Sequence, residues 1–498
     1  MPVFQQGTLN ATSLIVPDLY VQIVPPQVSL LNGVPTDILG VVGTAQWGPV
    51  GAPVIISDMN SYAQTFGAVQ ARKFDMGTAL AAAVLQGANN FRCVRVTDGT
   101  DAAASIVVAA GTAGDATAIR DAINNGISGV RGPSKLIVAS AATTNVTYTS
   151  MYTGTLGNTA TITIGPGSKA STYKITITMS GQVPEIFDNV GTAVGTVSTS
   201  NLTGGTDGVA TITASVLIGV DTVPRKGMYA LRNTGASIAM LADADDSTQW
   251  TTQVAFGLAE GIYMILVGPA GQTVATAVTA KSTAGIDSYA AKLLLGDWCY
   301  FQDNVNNQLR LISPQGFVAG RLANLSPEQS MLNKPIYGIV NTQATASSKI
   351  YSSAELALLV NAGIDLITNP IPGGNFFGCR VGHNTSSNPV INGDNYTRMT
   401  NYIAYTFNAG MGRFIGRLGS PLECAEAWAT IDSFGAIMKN RKPEPMISDY
   451  FVSPISAPVN GLQTANVKVT YLGIVEKFLI NVEGGTSVQI TRASTLPA

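Results

Sequence analysis

A discontinuous α/β core, an inserted β-rich domain and extended strand arms at both ends make up the α/β and α+β multidomain class that this sequence predicts. Three observations carry the expectation. Strand-like and helix-like segments alternate over residues 37–96 and again over 237–378, the pattern of a doubly wound sheet. Between them lies a Thr-, Gly- and Ala-rich stretch with period-2 alternation, the signature of half-exposed strands. At the two ends, short extended segments are set off by Pro or Gly. The resulting organisation is an N-terminal arm (1–32), a first part of the core (33–97), an inserted β-rich domain (98–210), a second part of the core (211–380), a C-terminal domain (381–482) and a C-terminal arm (483–498).

Residues 14–27 (LIVPDLYVQIVPPQ) open the series. Val16, Tyr20, Gln22 and Val24 suit an extended backbone, but Pro17, Pro25 and Pro26 lack the N–H that a central strand needs. Such a segment is an edge strand or an arm. An arm that adds a strand to another sheet gains affinity through main-chain hydrogen bonds, which points to an assembly protein.

Residues 37–43 (DILGVVG) read as a buried strand, followed by a turn through Trp47, Gly48 and Pro49. Residues 54–56 extend again, and Ser57 or Asp58 caps a short helix ending near Phe66 and Gly67. Residues 74–87 (FDMGTALAAAVLQG) are helical and 91–96 (FRCVRV) extended, a strand–helix–strand unit that favours parallel pairing. In the β-rich stretch, strands are expected at 136–139, 160–164 and 173–178, with one helix at 115–125. Beyond it, 237–242 and 263–267 are buried strands around a helix at 249–260, and 275–295 reads as one long helix. Helices follow at 395–408 and 422–439, the latter ending in Lys439, Arg441 and Lys442 before Pro443, where cations suit the helix dipole. Residues 466–481 (NVKVTYLGIVEKFLIN) carry strand alternation, and 486–492 (TSVQITR) form a terminal strand.

Composition narrows function. Charged residues are only 12% of the chain and the net charge is −2. A surface this poor in charge associates unless neighbours cover it, and the balance excludes the basic stripe of a nucleic-acid coat. The apolar runs, such as 261–269 (GIYMILVGP), fall short of the roughly 20 residues that span a bilayer. The N-terminus has no basic region followed by an apolar run, so synthesis in the cytoplasm is expected. Cys93, Cys299, Cys379 and Cys424 are widely spaced, without a CxxC pattern, and are expected to be buried free thiols.

The enzyme alternative rests on Asp243, Asp245 and Asp246, which follow a strand where open α/β sheets bind ligands and where Mg²⁺ for phosphoryl transfer would sit. The same residues directly precede a helix, and capping is the simpler use. Residues 268–273 (GPAGQT) lack the Lys-Ser/Thr of a phosphate loop. His383, the only histidine, has no nucleophile elbow to serve. No cofactor is expected. A virion shell protein such as a capsid subunit fits the low charge and the β-rich insertion as well.

The motif series distinguishes them. Residues 17–21 (PDLYV) resemble the "PGVYV" arm of contractile bacteriophage (myovirus) tail sheath proteins, and 40–49 (GVVGTAQWGP) their first strand and turn. Residues 152–158 (YTGTLGN), 185–187 (EIF) and 202–208 (LTGGTDG) resemble the family's "yPGxwGN", "E-x-F" and "LxGGxDG". Residues 313–320 (SPQGFVAG), 359–369 and 373–382 (GGNFFGCRVG) complete the order, with Phe377 where the family usually has tryptophan. The resemblance implies a virion protein that stacks in six-fold rings around a tail tube, with baseplate and tail terminator proteins as further partners and contraction driving genome ejection. It implies that strands from two other subunits complete one subunit's C-terminal sheet. Here Val467, Val469, Tyr471, Phe478, Ile480 and Val482 would line the acceptor. Val16, Tyr20, Val21, Gln22, Ile23 and Val24 would be donors from one end, and Ser487, Val488, Gln489, Ile490 and Thr491 from the other. The domain 381–482 would be the inner one facing the tube, with Lys439, Arg441 and Lys442 as its contact.

Overall fold

The computed structural model describes residues 3–6, 20–23, 31–110, 112–125, 135–140, 145–192, 198–483 and 489–490. These fall into two compact units, one of Met1–Val34 with Ile403–Leu472, the other of Pro35–Tyr402 with Gly473–Ala498.

The larger unit is organised by a seven-stranded sheet. Its strands are β1 (Leu39–Gly43), β2 (Pro53–Ile56), β3 (Phe91–Arg95), β4 (Ile238–Leu241), β5 (Tyr263–Val267), β6 (Ala291–Leu294) and β7 (Ile364–Asp365). They lie in the order β7-β6-β5-β4-β1-β3-β2, parallel throughout except for the antiparallel edge strand β2. Alternate side chains feed two separate cores. Val41, Cys93, Met240 and Ile265 pack on one face with Leu80 and Phe317. Val42, Val94, Leu241 and Leu266 pack on the other with Trp250 and Val274. Both faces are covered, which is why these strands read as continuous apolar runs.

The strand–helix–strand reading of 37–96 corresponds to β1 and β3, paired in parallel from Leu39↔Phe91 to Gly43↔Arg95. Asp58 caps the helix Met59–Phe66 through the Ser61 N–H, with Ser61 Oγ returning to the Asp58 backbone. The helix Met76–Val84 packs closely on the helix Gln315–Asn324. A Cβ at Gly316 would lie 2.6 Å from Ala79 O, and one at Gly320 2.4 Å from Ala83 Cα. The two glycines of SPQGFVAG are thus set by backbone approach. The expected helix over 275–295 is instead the helix Val274–Ala284, stopped by Gly285 at φ 63°, and then β6. Its apolar content is that of a strand buried on both faces, and periodicity did not separate the two.

The described residues between 104 and 202 gather around a third cluster. One four-stranded sheet contains Thr161–Pro166, Tyr173–Thr178, Glu185–Val190 and Ser198–Asn201. A three-stranded sheet contains Ser105–Ala109, Leu136–Ser140 and Asn145–Ser150, covered by the helix Ala113–Asn125 through Ile119 and Ile123. Trp47, from the turn after β1, is a member of this cluster. Its indole N–H donates to Ser150 Oγ (2.9 Å) and Tyr152 O (3.0 Å). Beside it, the Arg95 guanidinium donates to Gly48 O (2.8 Å), Thr153 O (2.7 Å) and Asp207 O (3.3 Å). Asn158 and Gly205 exchange hydrogen bonds of 2.8 and 2.7 Å. The motif segments 40–49, 152–158 and 202–208 therefore meet at one junction. The four cysteines are free and buried.

The division between units falls within the long helix Asp394–Met411; in the smaller unit it runs into a 3-10 turn, Gly412–Phe414, and residues 415–420 lead on to the helix Pro421–Asn440. Phe407 and Phe434 meet edge to face at 5.7 Å.

Asp75 has an unusual electrostatic position. It caps the helix Met76–Val84 through the Thr78 N–H (2.8 Å) while fully buried, and burial pushes its carboxyl up to about 7. A raised folded-state value means that folding favours the protonated form, so this group's cost grows as pH rises from the unfolded value toward 7. Asp75→Asn keeps the cap acceptor. Its thermal midpoint is expected to exceed the parent's by a margin that widens from pH 5 to pH 8, by about 3 kcal/mol of stability; equal margins at both pH values in calorimetry would refute this account.

Candidate assembly elements

The C-terminal sheet is a two-stranded antiparallel ribbon, Ile447–Val452 against Val467–Tyr471. Among the described residues no third strand joins either edge. The ribbon rests on the helix Pro421–Asn440. Tyr450 lies over Gly435, where a Cβ would come within 2.3 Å of its ring, and the Trp428 indole N–H donates to Val452 O (3.2 Å). Ile447 and Val452 are buried, whereas Phe451 is 62% exposed. Phe451 borders a groove of about 600 Å³ with Pro421, Cys424, Trp428, Pro454 and Ile455. Sequence reasoning missed this groove and Gly435. A glycine inside an otherwise good helix was the available signal.

Of the expected acceptor residues, Val467, Val469 and Tyr471 lie in the ribbon. The strand predicted over 466–481 ends at Tyr471; residues 472–481 have no regular structure. Phe478 and Ile480 are 82% and 68% exposed there, together with Val475 and Leu479. This segment is attached to the larger unit at its middle, where Glu476 Oε1 lies 2.8 Å from His383 Nε2, with the histidine side chain 8% exposed. The lone histidine thus has a partner in space that no sequence spacing announces. Val482 pairs with Ile490, and Glu483 with Gln489, in a short antiparallel ladder.

At the other end, Tyr20, Val21, Gln22 and Ile23 pair in parallel with Val3, Phe4, Gln5 and Gln6. Val16, Val24, Ser487, Val488 and Thr491 lie outside the described residues. Lys439 reaches Asp449 of the ribbon at 2.8 Å, and Arg441 and Lys442 are exposed beyond the helix.

The acidic residues after β4 are engaged locally. Asp243, at φ 53°, accepts from the Phe74 N–H (3.1 Å), and burial raises its carboxyl to about 6. Asp245 pairs with Lys73 at 2.8 Å. Asp246 caps the 3-10 turn before the helix Trp250–Glu260. Among the described residues no group of three or more His, Cys, Asp or Glu side chains is placed to hold a metal ion, and no helix is long and apolar enough to cross a membrane.

No protein-family model and no curated protein matches this sequence. Solved structures do. The chain is similar to a sheath tail protein from Desulfitobacterium hafniense, at 15% identity over 91% of this chain and 100% of that one, with a TM-score of 0.56. A sheath tail protein from Listeria innocua gives 12% identity, 89% and 96% coverage and a TM-score of 0.55. The PVC sheath complex of an extracellular contractile injection system, in its contracted state, gives 11%, 96%, 98% and 0.53. The fold is therefore that of contractile tail sheath proteins.

Two effects oppose each other at Gly435. Ala gains about 1 kcal/mol in a helix interior, but here its methyl enters the Tyr450 ring, and overpacking costs about 1–3 kcal/mol. Gly435→Ala is expected to lower the melting temperature and loosen the ribbon from the helix, read as faster amide exchange over 447–452; protection equal to the parent's would count against the contact.

Proposed function

We propose that this chain is the structural subunit of a contractile tail sheath, which polymerises as six-fold rings around a tail tube and contracts to drive the tube through the host envelope during genome delivery. The observation that carries the reading is the fold likeness, which runs over 89% to 96% of the chain and includes a sheath in its contracted state.

In this reading the two ends leave their own subunit. Segments 14–24 and 487–491 add strands to the ribbon of other copies, using the edges that Ile447–Val452 and Val467–Tyr471 leave without a third described strand. What supports it is chemical economy: among the described residues the ladders that each end makes within one chain are short, four residue pairs at the N-terminus and two at the C-terminus. Exchange for a ladder on a neighbour keeps the same main-chain bonds and adds side-chain burial. The exposed apolar residues of 474–480 and the charge content of 12% fit a surface covered by copies. Residues 98–210 form an outer domain, and the C-terminal domain faces the tube, with Lys439, Arg441 and Lys442 at that contact. Tube, baseplate and terminator proteins are the other partners, assembly takes place in the host cytoplasm, and the product resides in the virion tail. The free energy of contraction is lattice rearrangement, with no catalytic step and no cofactor.

Electron microscopy of the purified chain separates this from a closed shell: hollow striated tubes with six subunits per ring are expected, whereas closed particles would make it a capsid protein. Deleting residues 1–26 is expected to leave a folded protein by circular dichroism that forms no tubes. Tubes of normal length from that variant would remove the N-terminal arm as the connector.

A further inference from the structure

Lys292, on β6, directs its ammonium at two carboxylates inside the larger unit. Nζ lies 2.6 Å from Asp365 Oδ2 on the adjacent strand β7, and 3.0 and 3.1 Å from the two oxygens of Asp394. All three side chains have zero exposure. Neither the sheet nor the proposed assembly needs charge at this place, since apolar residues of similar volume generally serve a buried site as well or better. A buried amine in contact with a buried carboxyl, and a second carboxyl touching the amine, are the reactants and the proton carrier of an amide condensation.

We propose that Lys292 and Asp365 join in an intramolecular isopeptide bond, with Asp394 carrying the protons. The starting state is the ion pair: burial disfavours either charge, but the Asp365 and Asp394 carboxylates outweigh it and raise Lys292, while Lys292 and backbone N–H groups hold Asp365 low. One proton passing along the 2.6 Å contact turns the pair into an amine and a carboxylic acid, neutral groups that lose least by burial. The amine lone pair then attacks Cγ of Asp365 and the C–N bond forms. Charge developing on Oδ1 meets the N–H groups of Leu366 (2.8 Å) and Val381 (2.9 Å), which are placed as an oxyanion hole. Asp394 takes the proton from nitrogen and returns it to Oδ2 as the C–O bond breaks and water departs. Ammonium plus carboxylate become amide plus water, and no oxidant or other reactant is consumed. Asp394 is fixed for this task by the Tyr263 hydroxyl (2.5 Å) and the Met331 N–H (3.3 Å), with the buried Arg398 guanidinium balancing its charge. Preorganisation of this kind replaces an activating reagent by effective concentration.

Asp365 is the partner rather than Asp394 because it makes the shorter contact and alone has two backbone donors on one oxygen. The bond would staple the two-residue edge strand β7 to β6.

The test is the mass of the full-length folded protein after denaturation. The expected chain is lighter than its sequence by one water, and a tryptic digest contains a branched peptide joining the segments that hold Lys292 and Asp365, uncut after Lys292. Lys292→Arg preserves the charge and is expected to have the unreduced mass; Asp394→Asn is expected to leave most chains unjoined. A wild-type mass equal to the sequence mass, with free cleavage after Lys292, overturns the proposal, and a branch ending on Asp394 overturns the assignment of roles. Should Asp394→Asn not fold, the wild-type mass and peptide map decide alone.

Discussion

The larger unit is closed by one buried guanidinium. Arg95 stands at the end of β3 and gives hydrogen bonds to the carbonyls of Gly48, Thr153 and Asp207, three points otherwise far apart in sequence. Burial lowers its guanidinium to about 10, still fully charged at neutral pH. A charged donor to neutral carbonyls is stronger than an amide one, and a truncated one leaves three polar acceptors inside the protein. Trp47 fills the adjacent space between the segment after β1 and the third core. Where the chain departs from the α/β sheet after β3 and where it returns near residue 208, the same side chain holds both strands of the crossing.

Much of the fold was legible because local chemistry and global packing agree. Asp58 before a short helix, apolar runs at β1, β4 and β5, and period-2 alternation at 173–178 each have one reading. The motif glycines were legible as signals but not as causes. Gly316 and Gly320 are explained only by Ala79 and Ala83 of a helix more than two hundred residues earlier. The misread helix at 285–295 failed for a definite reason: a strand buried on both faces has no period to detect, and only Gly285 marked the break.

The candidate assembly surface was less legible. The strand expected over 466–481 stops at Tyr471; among the described residues none pairs with 472–481, and alternation alone does not supply a partner. Contacts such as His383 with Glu476, or Lys292 with Asp365 and Asp394, join residues about a hundred positions or fewer apart by topology alone. Composition announced their cost, in a chain with few charges, but not their partners. Each of these interior ionic groups has a specific neighbour.

The His383–Glu476 pair has a geometric meaning for the end of the chain. It fastens the segment 473–481 at its midpoint, so the length available beyond it is counted from Lys477. Were the pair undone, the origin would move back toward Gly473, and each residue released would extend the reach by about 3.3–3.6 Å. In the reading in which this end crosses to another copy, one imidazole and one carboxylate set how far it reaches.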